Sequence, residues 1–351
     1  MSTKRGTEPE LQNSQRAGVA TFADAIARGA PANLEQVVAA ETAPQAIATG
    51  HTGRTTVFLL GSQGGQHRTQ LTGANFRAGT SVVVVVDGVV YLVDAGVGAL
   101  LRLNEAGIDA NAVRHVFLTH HHSDHTADLG NVMGFAWSSG RSSDASQRRL
   151  DVWGPPGTLD YVAGYQQSLA LNIADQEGPF AQRPLFREFV HPHEFPLRGR
   201  ILTHPMQIMR DARVAVWAIR VNHGNIPAVG YRIKTVDLDI ALSGDRGTRG
   251  DHLARLIEEP DVLLHEITDT SLVIPALQQE GFPDSFIEHQ LQDHSPPALV
   301  AGTANAARAK RLILYHLVPG NVALTDAYWQ SLLVPKYKGE LIVGKDLLEI
   351  A

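Results

Sequence analysis

The sequence predicts an α/β protein in which helices cover β-sheets and a functional site is built from loops at strand ends. Three observations predict it. Short β-branched runs alternate with helical stretches along most of the chain. Asp87-Gly88 joins two such runs, Ser81–Val86 and Val89–Val93, and that dipeptide is a strong hairpin signal. Histidines and carboxylates repeatedly stand just after a strand-like run, where a loop can turn them into a common space.

Taken in order, residues 1–50 differ from the rest. They are rich in Ala, Gln, Glu and Thr and carry no strand-like run. Helical stretches are expected near Thr21–Arg28 and Asn33–Ala40, in an N-terminal arm or cap that is partly disordered. From Thr56–Leu60 onward the pattern becomes that of a folded domain, expected over 51–351. Val97–Ala106 reads as a helix, Val113–Thr119 as a strand running into His120, and Leu150–Trp153 as a strand. Gly154-Pro155-Pro156-Gly157 then turns into a helix reaching about Leu171. Residues 172–198, with many Pro, Gly and Gln, read as an irregular insertion. Further strands are expected at Arg213–Val221, Val229–Ile233, Asp239–Leu242, Val262–Leu264 and Arg311–Tyr315. Helices are expected at Thr248–Glu258, Pro297–Ala309 and Asp326–Leu333.

Composition bounds the chemistry. The 351 residues are 44% hydrophobic and 19% charged, which excludes collagen-like and largely disordered classes. The longest purely apolar run, Val214–Ile219, is far too short to cross a bilayer, so no membrane partner is expected. A basic segment followed by an apolar one is missing at the N-terminus. The expected location is therefore the cytoplasm, with the periplasm or exterior as the alternative if a leader has been removed. There is no cysteine, so no disulfide, thiolate site or cysteine nucleophile exists. Any transition metal must be held by histidine and carboxylate, and the chain has 16 histidines.

The strongest motif is Thr119-His120-His121-His122-Ser123-Asp124-His125. It places His120, His122, Asp124 and His125 just after a strand, and imidazole with carboxylate suits zinc and related divalent ions. One cluster cannot close two metal sites, but three more candidates follow strands: His223, Asp245 and His316. A carboxylate can bridge two cations through its two oxygens.

On these residues the sequence resembles the metallo-β-lactamase-fold hydrolases, within them the ribonuclease Z and arylsulfatase-like branch. The resemblance runs over about 55–343. It includes Val93-Asp94-Ala95-Gly96, Asn222-His223-Gly224, Ser243-Gly244-Asp245 and Leu314-Tyr315-His316. His265-Glu266 and His294-Ser295 point to the branch. The resemblance implies an αββα sandwich: two mixed β-sheets back to back, helices on the outer faces, a dinuclear metal site at one edge. His120, His122 and His223 would hold one zinc, and Asp124, His125 and His316 the other. Asp245 and a water or hydroxide would bridge them, with Asp94 orienting the cluster. Manganese or iron are alternatives to zinc. Asp124 would orient or deprotonate the nucleophile, and His294, backed by Glu266, would protonate the leaving group.

The remaining histidines divide. His191 and His193 have ligand spacing but read as surface loop. His121 points away from the ligands by strand alternation, His265 has no assigned role, and His67 is a candidate substrate contact. The common bacterial ribonuclease Z carries a tRNA-gripping arm between the elements matched here by Gly230–Ile233 and Ser243–Asp245, which are nearly adjacent in this chain. On that ground the expected substrate is a small phosphodiester or sulfate ester, nucleic acid is an unlikely partner, and a homodimer is expected from the branch. RNA 3′-processing, lactonase and weak β-lactamase activities are the alternatives.

Overall fold

A computed structural model describes residues 54–65, 77–138, 149–178, 184–249, 253–320, 324–334 and 336–351. The expected arm over residues 1–50 and the candidate contact His67 lie outside the described residues.

Two seven-stranded sheets are formed. The first has the order β14-β1-β2-β3-β4-β5-β6, from β1 (Thr55–Gly61), β2 (Ser81–Val86), β3 (Val89–Val93), β4 (Val113–Phe117), β5 (Leu150–Gly154), β6 (Val190–Glu194) and β14 (Leu348–Glu349). The second has the order β13-β12-β11-β10-β9-β8-β7, from β7 (Met206–Arg210), β8 (Ala215–Val221), β9 (Ala228–Lys234), β10 (Asp239–Leu242), β11 (Val262–Thr268), β12 (Arg311–Val318) and β13 (Glu340–Val343). Each sheet is mixed. β1 to β3 and β7 to β10 pair antiparallel, whereas β3 to β6 and β10 to β13 pair parallel. The expected αββα architecture of two mixed sheets with helices is what the chain adopts.

Strand alternation makes the two layers of core. Val82, Val84, Tyr91, Val93 and Phe117 face Val216, Val229, Tyr231, Ile240, Leu264 and Ile313 between the sheets. The alternate residues Val83, Leu92, Val116 and Val152 turn outward, beneath α1 (Ala99–Glu105) and α3 (Leu129–Ser138). Buried side chains of this kind contribute about 1.5–3 kcal/mol each. That apolar mass offsets the cost of burying the polar cluster described below. The Tyr231 hydroxyl crosses between the sheets to donate to the Leu118 carbonyl at 2.6 Å.

The segment 172–198 departs from its expected irregularity. It holds the end of α5 (Ala170–Gln176), the short α6 (Phe186–Phe189) and the edge strand β6. Val-His-Pro-His-Glu hides a strand because Pro192 is tolerated only at an edge, and β6 pairs on one side, with β5. Elements beyond those expected include the helix Leu129–Ser138, the strands β7, β13 and β14, and the helices α8 (Thr270–Gln279) and α9 (Asp284–Asp293). Pro275 lies inside α8, and an internal proline reads as a helix breaker. The helix expected over 248–258 narrows to α7 (Leu253–Leu256) among the described residues.

Candidate metal centre

The site lies where strand ends of both sheets meet. From the first sheet, β4 leads through Thr119 to His120. His122 then precedes the short helix α2 (Ser123–Thr126), which carries Asp124 and His125 on its first turn. His223 follows β8 and Asp245 follows β10. Gly244 adopts φ 57, and a Cβ there would stand 2.5 Å from the Val229 carbonyl oxygen, so glycine is required for the turn that delivers Asp245.

His316 arrives differently. It lies within β12, where Glu266 pairs with Tyr315 but Ile267 pairs with Leu317. His316 is thus the extra residue of a bulge, at φ 47. A bulge breaks strand alternation and re-aims one side chain; here it turns an imidazole into the site.

Two side-chain groups result. One donor atom each from His120, His122 and His223 lie within 4.8 Å of one another, as do one each from Asp124, His125, Asp245 and His316. His120, His125 and His316 are fully buried. Asp245 joins the groups: its Oδ2 is 3.8 Å from His120 Nε2, 3.6 Å from His223 Nε2 and 3.1 Å from His316 Nε2. Its Oδ1 is 3.3 Å from His125 Nε2, yet both of those buried atoms lack a hydrogen-bond partner. Orphaned nitrogen and oxygen lone pairs converging in a buried space fit divalent cations. The donor atoms thus form two groups of a kind that could hold metal ions, and Asp245 reaches both.

The surrounding hydrogen bonds hold the donors in place. Asp94, at φ 58, accepts from the Thr119 amide at 2.8 Å and the Thr119 hydroxyl at 2.8 Å, and its Oδ2 lies 2.8 Å from His125 Nδ1. The Asp293 carbonyl lies 2.7 Å from His223 Nδ1. The Gly65 amide donates to Asp124 Oδ2 at 2.9 Å. Sequence reading assigns no role to Thr119, which heads the motif, and misses Gly65, whose only signal is the Gly64-Gly65 doublet close after β1.

Charge is distributed unevenly. Burial alone would lower His125 and His316, but the Asp245 and Asp124 carboxylates reverse this, raising His125 and pushing His316 up to about 10. Burial and the neighbouring His125 drive His120 well down, and burial with His223 puts His122 at about 4. Burial would raise Asp124, but His125 and His316 hold it far below the carboxylate range. Without cations, the second group is thus an ion-pair cluster and the first a set of neutral imidazoles.

His294 stands beside both groups. Its ring is 5.0 Å from that of His223 and 5.7 Å from that of His316. Nδ1 lies 2.9 Å from Glu266 Oε2, and the other Glu266 oxygen accepts from the Arg246 amide at 2.6 Å. Asp245, Glu266, His294 and His316 form a third group with donor atoms within 4.8 Å.

The other histidines stay outside. His121 Nε2 lies 3.0 Å from the Thr158 hydroxyl. His265 is buried with Nδ1 2.7 Å from the Glu266 carbonyl, and burial, with Arg246, lowers it to about 3. His191 and His193 are not on a surface loop: both belong to β6. There His193 stacks on Trp153 at 4.0 Å and lies 2.6 Å from Asp151 Oδ1. Its partner is a carboxylate of the neighbouring strand, which spacing alone does not disclose.

Comparison with known proteins gives a consistent picture. A family model described as the beta-lactamase superfamily domain matches residues 90–317. A protein named ribonuclease Z from Mycolicibacterium paratuberculosis is 30% identical over 276 residues, covering 77% of this chain and 91% of its own length. Ribonuclease Z of Mycobacterium bovis is 29% identical over the same share of each chain. Among solved structures, the short form of human tRNase Z is 22% identical, with a TM-score of 0.59 over 84% of this chain and 98% of its own. The metallo-beta-lactamase fold protein YhfI of Bacillus subtilis has the same TM-score at 17% identity and the same coverage.

These relatives correct one expectation. The sequence makes nucleic acid an unlikely partner on the ground that the segment between Gly230–Ile233 and Ser243–Asp245 leaves no room for an arm. The link from β9 to β10 is indeed short, residues 235–238. Yet the relatives that match most of the chain are named for acting on RNA. A short link at this point removes one grip on a substrate without excluding RNA. Among the described residues no helix is long and apolar enough to cross a membrane.

Proposed function

The chain belongs to the metallo-β-lactamase superfamily of hydrolases, and on that premise we propose that it cleaves phosphodiester bonds in RNA in the manner of a ribonuclease Z. The observation that carries the reading is the His294–Glu266 pair set beside two converging donor groups. The histidine and carboxylate donors favour zinc, and manganese or iron are compatible with the same set.

His120, His122 and His223 would hold one ion, Asp124, His125 and His316 the other, with Asp245 between them. Bound divalent ions would polarise the phosphodiester and make water a competent nucleophile near neutral pH. The protein's own groups do the rest. Asp124, held by the Gly65 amide, orients the attacking water. A carboxylate accepts only, so His294 Nδ1 carries a proton and donates it to Glu266. Nε2 is then the atom free to carry a transferable proton. As water adds to phosphorus and the bond to the leaving oxygen breaks, His294 Nε2 gives its proton to that oxygen. The Glu266 charge stabilises the imidazolium beforehand; burial lowers the His294 proton affinity, but Glu266 and Asp245 raise it above the usual histidine value.

A second reading, hydrolysis of a small phosphodiester or sulfate ester, draws on the four-residue link 235–238, where the common bacterial ribonuclease Z has its arm. One experiment separates the two. Metal-loaded protein is offered an RNA with a 3′ extension, bis(p-nitrophenyl) phosphate and an aryl sulfate, beside Asp245→Ala. The RNA reading expects endonucleolytic cleavage of the RNA that vanishes in the variant. Turnover of the small esters with intact RNA would install the second reading, and no turnover with two metals bound would sink both.

A further inference from the structure

Beside the metal centre lies a cleft of about 230 Å³ that the mechanism above does not use. It is lined by the loop that starts at Asn222, by Arg249 and by one face of α9 with Ser285, Glu288, His289 and Gln292. We propose that this cleft is a nucleoside subsite, which takes the base attached to the leaving oxygen. The inference deepens the RNA reading and rests on it.

Position is the first argument. The cleft adjoins the site through residues next to His223 and His294 in the chain. Asn222 and Gly224, on its rim, flank His223, and Gln292 and Asp293 lead directly into His294. The Asp293 carbonyl lies 2.7 Å from His223 Nδ1, so loop and helix are locked together at the cleft's inner edge. His294 is the group that meets the leaving oxygen, and the residues beside it are the nearest available to the nucleoside carrying that oxygen.

Chemistry is the second argument. Every lining side chain is polar, which disfavours the apolar ligands that most small-molecule pockets take. Three carboxamides, Asn222, Asn225 and Gln292, each offer a donor and an acceptor, and base edges present paired donors and acceptors of that kind. Arg249 Nη2 donates to Gln292 Oε1 at 2.5 Å, which leaves the Gln292 amide nitrogen to donate to a ligand. Glu288 is exposed on the same helix face and supplies an acceptor. His289 is paired with Asp293, so Asp293 does not present a free charge to the cleft.

Backbone packing keeps the space open. Gly224 adopts φ 58, and a Cβ there would stand 2.7 Å from His289 Cε1 and 3.0 Å from Asp293 Oδ2. The loop therefore lies close against α9 at Gly224. A space of this volume holds one nucleoside and no folded RNA.

The test uses Asn225→Ala combined with Gln292→Ala, two side chains away from the metal donors, in metal-loaded protein. The substrates are a short RNA and the same RNA with an abasic ribose on the leaving side of the cleaved bond. Wild type should show a KM at least tenfold higher for the abasic RNA. The variant should show that raised KM for both, with turnover of bis(p-nitrophenyl) phosphate unchanged. Equal KM values for the two RNAs in wild type would overturn the subsite while leaving RNA cleavage standing. Direct titration with nucleoside monophosphates reads the same question without turnover. Tighter binding by wild type than by the variant supports the subsite, and equal binding or none refutes it. Loss of all phosphodiester turnover in wild type would instead strike the underlying reading, and the titration would still decide whether the cleft takes a nucleoside.

Discussion

His294 Nδ1 lies 2.9 Å from Oε2 of Glu266, whose own Oε1 accepts from the Arg246 amide. Glu266 is fully buried and its carboxylate is anchored from both sides. The pair therefore fixes both the ring plane and the tautomer of His294. His294→Ala should lower kcat on unactivated RNA by about 10²–10⁴-fold, the usual worth of a positioned acid. The loss should shrink on bis(p-nitrophenyl) phosphate, whose leaving group scarcely needs a proton. Glu266→Gln keeps the shape and removes the charge that raises His294, so it should shift the alkaline limb of the kcat profile, set by loss of the proton from the acid, to lower pH. Equal losses on both substrates would remove His294 from the acid role.

Gly65 predicts a different kind of defect. Its amide holds Asp124, and a Cβ on the preceding Gly64 would collide with the His316 ring. Asp124 and His316 belong to the same donor group, whereas His120, His122 and His223 lie in the other. Gly64→Ala should therefore weaken one metal-binding step and spare the other. Stepwise titration with zinc, read by calorimetry, checks this. Two unchanged steps would show that the loop does not constrain the donors.

The parts of the site that the sequence discloses are those with local order. His120, His122, Asp124 and His125 fall within six consecutive residues after β4, and His223 and Asp245 each follow the last residues of a strand. His316 was legible as a residue, but its bulge was not, because a register shift depends on the partner strand rather than on the residue itself. Strand β6 is hidden by Pro192, and α8 by Pro275 inside it. The lining of the cleft beside α9 comes from three separate segments, so no spacing announces it. The same holds for Gly65, whose contribution is a backbone amide.

The ion-pair cluster predicts proton release on metal uptake. In the metal-free fold burial disfavours charge on His316, yet Asp245 and Asp124 push it up to about 10, and His125 is raised as well. Both imidazoles then hold an extra proton at pH 7, which coordination must displace. Zinc binding should release roughly two protons, measurable from calorimetric heats in buffers of different ionisation enthalpy. Stability follows the same linkage. Between 6.5 and about 10 the native state holds more protons than the unfolded chain at His316, so metal-free stability falls as pH rises through that window. His122, lowered to about 4 by burial and His223, acts oppositely, and stability falls as pH drops from 6.5 toward 4. The metal-free Tm should peak near pH 6.5, and metal should flatten the alkaline limb. A metal-free Tm that climbs from pH 7 to 9 would contradict the charge assignment.

Asp94 should prove to be the residue on which the first strand end depends. It sits in the left-handed region at φ 58, which costs an L-residue about 1–3 kcal/mol and persists only where the surroundings enforce it. What enforces it is a set of three partners. The Thr119 amide and hydroxyl both donate to it, and His125 Nδ1 lies 2.8 Å from its Oδ2. Thr119 immediately precedes His120, so one carboxylate sets the position of a residue from each donor group. Asp94→Asn keeps one acceptor oxygen but replaces the other with an NH2 group, which faces donors. The variant should therefore lose about 10–100-fold in metal affinity and retain its fold, since the apolar layers on either side are untouched. Asp94→Gly tests the opposite separation. It relieves the backbone strain, so a Tm near that of wild type with weakened metal binding would show that the carboxylate, and not the turn, is what the site requires. Full metal affinity in both variants would assign Asp94 to the turn alone.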